Sequence, residues 1–226
     1  MAIQCVIFDI DNTLYSYDAA HAVAFRALSE LVSQRLGLSA EDFRTLHRRA
    51  NEDLKERMGD VAAIHNRLIR YQNLVEQLGG DLGLALEMNE RYWSTLLAAM
   101  RPTPGAAETL KSLRQRGIRV GIGTDMTARL QLLKLKRLGL LEYVNFLVSS
   151  EEVGAEKPDP RLFRRCVEKA GVSAEQCLFV GDSLDKDARG ASQCGLRGVW
   201  FHPEGKKMLT EVPQVGALQE LLQQLD

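Results

Sequence analysis

No stretch of this chain is apolar over the eighteen or more residues that a membrane-spanning helix needs, so a span is not expected. Neither sign of charge dominates: 29 basic and 30 acidic side chains leave a formal net charge of −1. A global basic field of the kind that attracts nucleic acid or an anionic membrane is therefore absent, and neither partner is expected. The 4 cysteines, Cys5, Cys166, Cys177 and Cys194, form no C-x-x-C pair, which argues against a zinc knuckle or a structural disulfide framework. Cys5 and Cys177 lie in apolar runs, where a thiol serves as a small hydrophobe. No basic n-region precedes the first apolar segment, so no signal peptide is expected, and a reduced, cytoplasmic setting follows. No internal repeat or low-complexity segment is visible.

What is present is a chain of 226 residues, 45% hydrophobic, enough for one domain with an insertion. Residues 15–100 read as almost entirely helical. Val23, Ala24, Ala27, Leu28, Leu31 and Val32 form one apolar stripe, and Val61, Ile64, Leu68, Tyr71, Val75 and Leu78 form another. Ser39 is the expected N-cap of a further helix. Gly59-Asp60 and Gly79-Gly80-Asp81 mark breaks, and Leu86, Trp93, Leu97 and Met100 continue into a fourth helix. A small helical bundle is the expectation, with Trp93 and Met100 as packing residues.

From Arg101 the pattern alternates. Strands are predicted at 119–123, 145–148, 177–180 and 198–201, with helices between them closed by Gly117, Gly139, Gly171 and Gly195, and a polar-faced helix at the C-terminus. The apolar strands are continuous rather than alternating, as in a parallel sheet covered on both faces. The N-terminal run Cys5–Phe8 belongs to the same sheet. The predicted fold class is therefore α/β: a Rossmann-like doubly wound parallel core, residues 1–14 and 101–226, carrying an inserted α-helical bundle over 15–100.

Chemistry concentrates at the strand ends. Val6-Ile7-Phe8-Asp9-Ile10-Asp11-Asn12-Thr13 runs an apolar strand into two carboxylates spaced i, i+2, which can converge on one small volume. Two carboxylates so close require a cation or a proton between them, and Mg²⁺ is the usual partner of such oxygen donors. The simpler alternative is a strand end whose Asp residues form turns or cap a helix. Thr124, ahead of Asp125, can hold phosphate oxygens with the backbone N–H groups around it, or either residue can cap the following helix. Lys157, in Glu156-Lys157-Pro158-Asp159-Pro160, is either a fixed cation for a phosphoryl group or a solvated surface residue. Gly181-Asp182-Ser183-Leu184-Asp185-Lys186-Asp187 places acids at the carboxyl edge of the sheet, with Asp182 preferred as metal ligand, then Asp187, then Asp185.

These four segments, in this order, resemble the motifs of the haloacid dehalogenase superfamily: D-x-D-x-[TV], a Ser or Thr at a strand end, K-P-x-P, and G-D-x-x-x-x-D. The resemblance covers the core strands and leaves the helical insertion unmatched. It implies a Mg²⁺-dependent phosphohydrolase of the capped phosphatase branch acting on a small phosphorylated metabolite, as a monomer or homodimer. Asp9 would be the nucleophile that forms an aspartyl-phosphate, and Asp11, protonated at the first step, the acid and then the base. Asp9, Asp11, Asp182 and Asp187 would surround the metal, the backbone carbonyl of Asp11 being its ligand. Lys157 and Thr124, with the backbone N–H of Ile10, would stabilise the phosphoryl oxygens. The acid at position 11 separates phosphate-transferring members from dehalogenases, whose halide needs no proton.

Substrate identity is expected in the insertion and in the segment leaving the site. Tyr15 and Tyr17 can stack on a base or sugar and His21 can meet a polar group, or all three pack a hinge. Arg48, Arg49, Arg67 and Arg70 can recognise an anion or form a solvated helix face. A nucleotidase or sugar-phosphate phosphatase is the expected activity. A phosphomutase, a phospho-accepting module and a non-catalytic scaffold are the alternatives, and steady release of phosphate separates the first reading from the rest.

Overall fold

The computed structural model describes residues 2–59, 61–203, 205 and 208–225. It divides into two compact units: Met1–Ser16 with Arg101–Asp226, and Tyr17–Met100. In chain order, β1 (Cys5–Phe8) is followed by the helical unit, made of α1 (Tyr17–Leu36), α2 (Ala40–Met58), a 3₁₀ turn (Ala62–His65), α3 (Arg67–Gln77) and α4 (Leu82–Ala99). The chain then returns through α5 (Ala106–Gln115), β2 (Arg119–Thr124), α6 (Ala128–Leu138), β3 (Phe146–Ser149), α7 (Ser150–Val153), α8 (Pro160–Ala170) and β4 (Cys177–Gly181). A π-helical turn (Leu184–Arg189), α9 (Gly190–Gln193), β5 (Arg197–Phe201), β6 (Gln214–Val215) and a 3₁₀ segment (Leu218–Gln223) complete it.

Among the described residues the strands form one sheet in the order β3-β2-β1-β4-β5-β6, every pair parallel. This is the doubly wound order, and the direction of winding reverses beside β1, where such sheets open a crevice at their carboxyl edge. Every residue of β1 and of β4 is buried, which explains why these strands read as unbroken apolar runs. One face packs Cys5, Ile7, Cys177 and Phe179 against Leu162, Phe163 and Cys166 of α8. The Phe163 and Phe179 rings meet edge to face at 5.1 Å. Each such buried large side chain contributes about 1.5–3 kcal/mol relative to exposure. All four cysteines are free thiols, three of them buried.

Local chemistry sets the helix ends. Ser39 accepts the backbone N–H of Asp42 at 3.1 Å, as its position predicts. Asp159 caps α8 ahead of Pro160, Thr127 precedes α6, and Gly139 and Gly171 close α6 and α8 in the left-handed conformation that suits glycine.

The structure departs from the sequence reading in four places. The stripe from Val61 to Leu78 is not one helix. Asn66 turns its side chain onto the N–H of Leu68 and starts α3 afresh, after a 3₁₀ turn, because an Asn side chain replaces the missing helical acceptor. Val23 is half exposed and stands off the stripe of α1, which buries Ala20, Ala24, Leu28, Leu31 and Val32 instead. The C-terminal segment is a 3₁₀ turn that buries Leu218 and Leu221, preceded by a two-residue strand too short to leave a periodic signal. Finally, Tyr15 and Ser16 group with the sheet unit, whereas the expected boundary falls after residue 14.

Candidate active site

The carboxyl ends of β1, β2 and β4 bring the acidic and hydroxyl side chains together. Asp9 follows β1 directly and its N–H continues the ladder to the Val180 carbonyl at 2.9 Å. Beyond it the chain turns tightly: the Ile10 carbonyl accepts from the N–H groups of Thr13 and Leu14, the Ile10 side chain is buried, and Asn12 adopts a positive φ. Asp182 follows β4. Carboxylate oxygens of Asp9, Asp182 and Asp187 all lie within 4.8 Å of one another.

Lys157 stands among them. Its Nζ donates to Asp9 Oδ1 at 2.6 Å and to Asp187 Oδ1 at 2.7 Å, and its backbone N–H donates to Asp125 Oδ1 at 2.9 Å. It is 5% exposed, which removes the surface-residue reading. Burial works against its charge but is overcome by Asp187, Asp9 and Asp125, so its pKa stands well above the ordinary lysine value. Asp187 is committed on both oxygens, since Oδ2 accepts the N–H of Ser183 at 2.9 Å. It therefore fixes Lys157 and the loop after β4. Gly181 is required there: a Cβ would stand 2.3 Å from the Asp187 carboxyl. Asp185 points elsewhere. Its side chain is 78% exposed and pairs with Arg189 at 2.6 Å, so Asp187 is the later acid of the fourth segment that lies beside Asp9 and Asp182.

Three carboxylates against one ammonium leave a surplus of negative charge in a buried space. Burial pushes Asp9 up to about 8, Lys157 pulling the other way and Asp187 and Asp11 adding to the rise. Burial with the charge of Asp187 pushes Asp182 up to about 6. A hard divalent cation fits this donor set, because it satisfies clustered carboxylate oxygens that otherwise take up protons.

Asp11 belongs to a different network. Its oxygens accept from Lys134 Nζ at 2.6 and 2.8 Å and from Gln131 Nε2 at 3.1 Å, and the Tyr15 hydroxyl also donates to it. Lys134 and Gln131 are both fully buried on α6. Partial burial would raise the Asp11 pKa, but the Lys134 charge and the bonds from Lys134, Tyr15 and Gln131 outweigh it and hold the pKa below the usual value. These groups favour the ionised form of Asp11 at rest; the sequence reading has it protonated at the first step, with substrate in place. Of the two readings of Tyr15 the structure follows packing: the residue is fully buried, with its hydroxyl donating to Asp11.

Thr124 ends β2 and is buried. Its hydroxyl accepts from Gln131 Nε2 at 2.7 Å and donates to the Asp125 carbonyl at 3.3 Å. Neither it nor Asp125 caps the next helix, whose N-cap is Thr127. Gln131 and Lys134 are the functional candidates that the sequence reading missed. A signal existed, since Gln131 occupies the same helical stripe as the buried Leu135 and Leu138.

In the helical unit Arg48 and Arg49 lie on an exposed face, with Arg48 paired to Glu52, as a solvated surface would have them. Arg67 and Arg70 are buried, contrary to that reading. Trp93 and Met100 are buried packing residues.

Sheet order, strand-end carboxylates and a buried lysine define an α/β enzyme core of the doubly wound kind. The particular family follows from comparison with known proteins: the model of the haloacid dehalogenase-like hydrolases matches residues 3–195. The chain belongs to that family. It is 36% identical over 210 residues to the ribulose-1,5-bisphosphate 5-phosphatase of Halopiger xanaduensis, covering 91% of this chain and 87% of the relative. It is 35% identical to the glyceraldehyde 3-phosphate phosphatase of Methanopyrus kandleri, over 86% and 82% of the two chains. Among solved structures, the magnesium-bound HAD-hydrolase YfnB of Bacillus subtilis superposes with a TM-score of 0.76 at 26% identity, over 100% of this chain and 99% of that one. Among the described residues no helix is long and apolar enough to cross a membrane.

Proposed function

We propose that this protein is a Mg²⁺-dependent phosphomonoesterase that transfers a phosphoryl group from a small sugar phosphate to Asp9 and then to water. The observation that carries the reading is the Asp9 carboxylate at the end of the central strand, within reach of Asp182 and held by Lys157. The named activities of the two relatives support the sugar-phosphate class.

Asp9, Asp182 and the backbone carbonyl of Asp11 would hold Mg²⁺, with Asp187 behind them. When bound, the ion offsets the charge between the nucleophile and a phosphate dianion. Asp9 attacks phosphorus in line and forms an acyl phosphate as the alcohol leaves. Lys157 and the backbone N–H of Ile10 stabilise the equatorial oxygens, and Thr124 joins them by turning its O–H from the Asp125 carbonyl to a phosphate oxygen while still accepting from Gln131.

The proton for the leaving alcohol comes from Asp11. Its resting carboxylate acquires that proton as the dianion arrives, because a like charge nearby disfavours ionisation. The Asp11 side chain keeps 26% exposure, so solvent on its open side supplies the proton, while the Tyr15 hydroxyl keeps its bond to Oδ1. Once ionised again, Asp11 removes a proton from the water that hydrolyses the intermediate.

Steady release of inorganic phosphate from a panel of sugar phosphates, nucleotides and p-nitrophenyl phosphate, with Mg²⁺ or with EDTA, tests this reading. Chelation should abolish turnover, and sugar phosphates should lead the panel. Metal affinity should also depend on pH. Asp9 and Asp182 keep protons below about 8 and about 6 in the metal-free protein, and the ion requires their carboxylate forms. Binding therefore expels protons, and calorimetric affinity for Mg²⁺ should fall as pH is lowered from 8 to 6. A flat affinity across that interval would contradict the assignment of these two side chains as ligands.

A further inference from the structure

We infer that the helical unit contains an anion-binding pocket of its own, built on Arg67 and Arg70, which takes a phosphate or carboxylate group of a small molecule. The pocket is a cavity of about 360 Å³ whose lining includes Tyr17, His21, His47, Lys55, Arg67 and Arg70, and among the described residues none that lines it is acidic. Arg67 and Arg70 are 8% and 6% exposed. Among the described residues neither guanidinium has a carboxylate partner. Arg67 donates to the Tyr17 hydroxyl at 2.5 Å and lies 4.1 Å over the Tyr92 ring, and Arg70 donates to the Ile64 carbonyl at 3.3 Å. The Nε atoms of both arginines and Nε2 of His47 are buried without a hydrogen-bond acceptor or donor.

Two buried guanidiniums facing one cavity are costly unless an anion is shared between them. Burial together with the neighbouring Arg67 charge pulls Arg70 down to about 10, the direction a shared anion would reverse. Burial and the same arginines push His47 down to about 3 and His21 down to about 4, so both rings are neutral and add donors without further repulsion. The planar N–H forks of arginine match the oxygens of phosphate or carboxylate. Lys55 adds positive charge to the lining. The aromatic rings of Tyr17 and His21, stacked at 5.4 Å, contribute a stiff wall.

That anionic group has two possible carriers: the far end of a doubly anionic substrate, or a separate anionic effector. The first rests on the phosphatase reading above; binding itself does not. Calorimetric titration of the full chain in EDTA with inorganic phosphate, and separately with sulfate, reads binding directly. Arg67→Met and Arg70→Met should each weaken it at least tenfold, while Arg48→Met, on the exposed face, should leave it unchanged. Melting in anion-free buffer gives a second readout. Removal of an uncompensated buried charge should leave the Arg70→Met protein as stable as wild type or more so, and insensitive to added phosphate. Should either Met variant fail to fold, Arg67→Lys and Arg70→Lys keep the charge, lose the fork, and are expected to bind more weakly.

Kinetics separates the carriers. If the substrate supplies the group, the Met variants lose at least tenfold in kcat/KM for sugar bisphosphates and retain it for p-nitrophenyl phosphate. If an effector supplies it, sulfate alters wild-type turnover without competing with substrate, and the variants no longer respond. Either pattern supports the pocket. Equal phosphate binding and equal melting behaviour in wild type and the arginine variants would overturn it, whatever the enzymatic results. Absence of turnover alongside arginine-dependent binding would count against the phosphatase reading alone.

Discussion

Asp9→Asn is expected to lower kcat on any accepted phosphoester by about four orders of magnitude, equivalent to about 5 kcal/mol of lost transition-state stabilisation. Without the carboxylate no acyl phosphate can form, and the remaining groups only position and polarise the substrate. The fold should survive. Asp9 sits in a cluster where burial and neighbouring acids already oppose its charge, and Lys157 keeps its bond to Asp187 in the variant. The melting temperature should therefore be unchanged or slightly raised. Phosphate release and thermal unfolding on the same preparation check both halves. Turnover at the wild-type level would remove Asp9 from the nucleophilic role and take the covalent route with it.

Lys134→Met is expected to harm stability and catalysis together. Its ammonium is fully buried and makes two short bonds to Asp11, whose side chain retains 26% exposure. Breaking a buried ion pair from one side costs about 3–5 kcal/mol. The exposure left to Asp11 lets water share the loss, so about 3 kcal/mol is the expected figure, a drop of roughly 6–12 °C in melting temperature for a chain of this size. The kinetic signature is more specific. With the Lys134 charge gone, Asp11 loses the main influence that holds it ionised. The acidic limb of the kcat–pH profile should then move to higher pH, because the base needed for dephosphorylation stays protonated over more of the range. A purely structural lysine would lower Tm and leave that limb in place. Lys134→Arg, which keeps the charge, should recover part of both effects.

The parts of the molecule legible in the sequence are those where one local rule decided the outcome. Continuous apolar tetrads such as Cys5–Phe8 and Cys177–Val180 admit few readings besides buried parallel strands, and acids placed directly after them had to emerge at the carboxyl edge. Ser39 and Gly171 announce helix ends because capping depends on a few adjacent backbone groups. What stayed hidden was set by tertiary context. Asn66 ends a stripe whose apolar spacing continues through it, since a cap can interrupt a helix without disturbing the pattern. Lys134 and Gln131 read as ordinary members of an amphipathic helix until α6 is packed beneath Asp11. Tyr15 looks like a residue at the mouth of a site, and only its full burial shows that it serves Asp11. Arg67 and Arg70 carry the same one-letter signal as Arg48 and Arg49; burial alone separates them.

The indole N–H of Trp200 donates to the backbone carbonyl of Asp182 across 2.8 Å. That single tether makes a built-in optical reporter of the acidic cluster. Trp93 is the other of the 2 tryptophans in the chain and belongs to the helical unit, so Trp93→Phe leaves one fluorophore wired to the loop after β4. Its emission should change saturably as Mg²⁺ is titrated in, at the same concentrations that restore turnover after chelation. Emission that ignores the ion would mean that the loop's backbone is already set before any metal arrives.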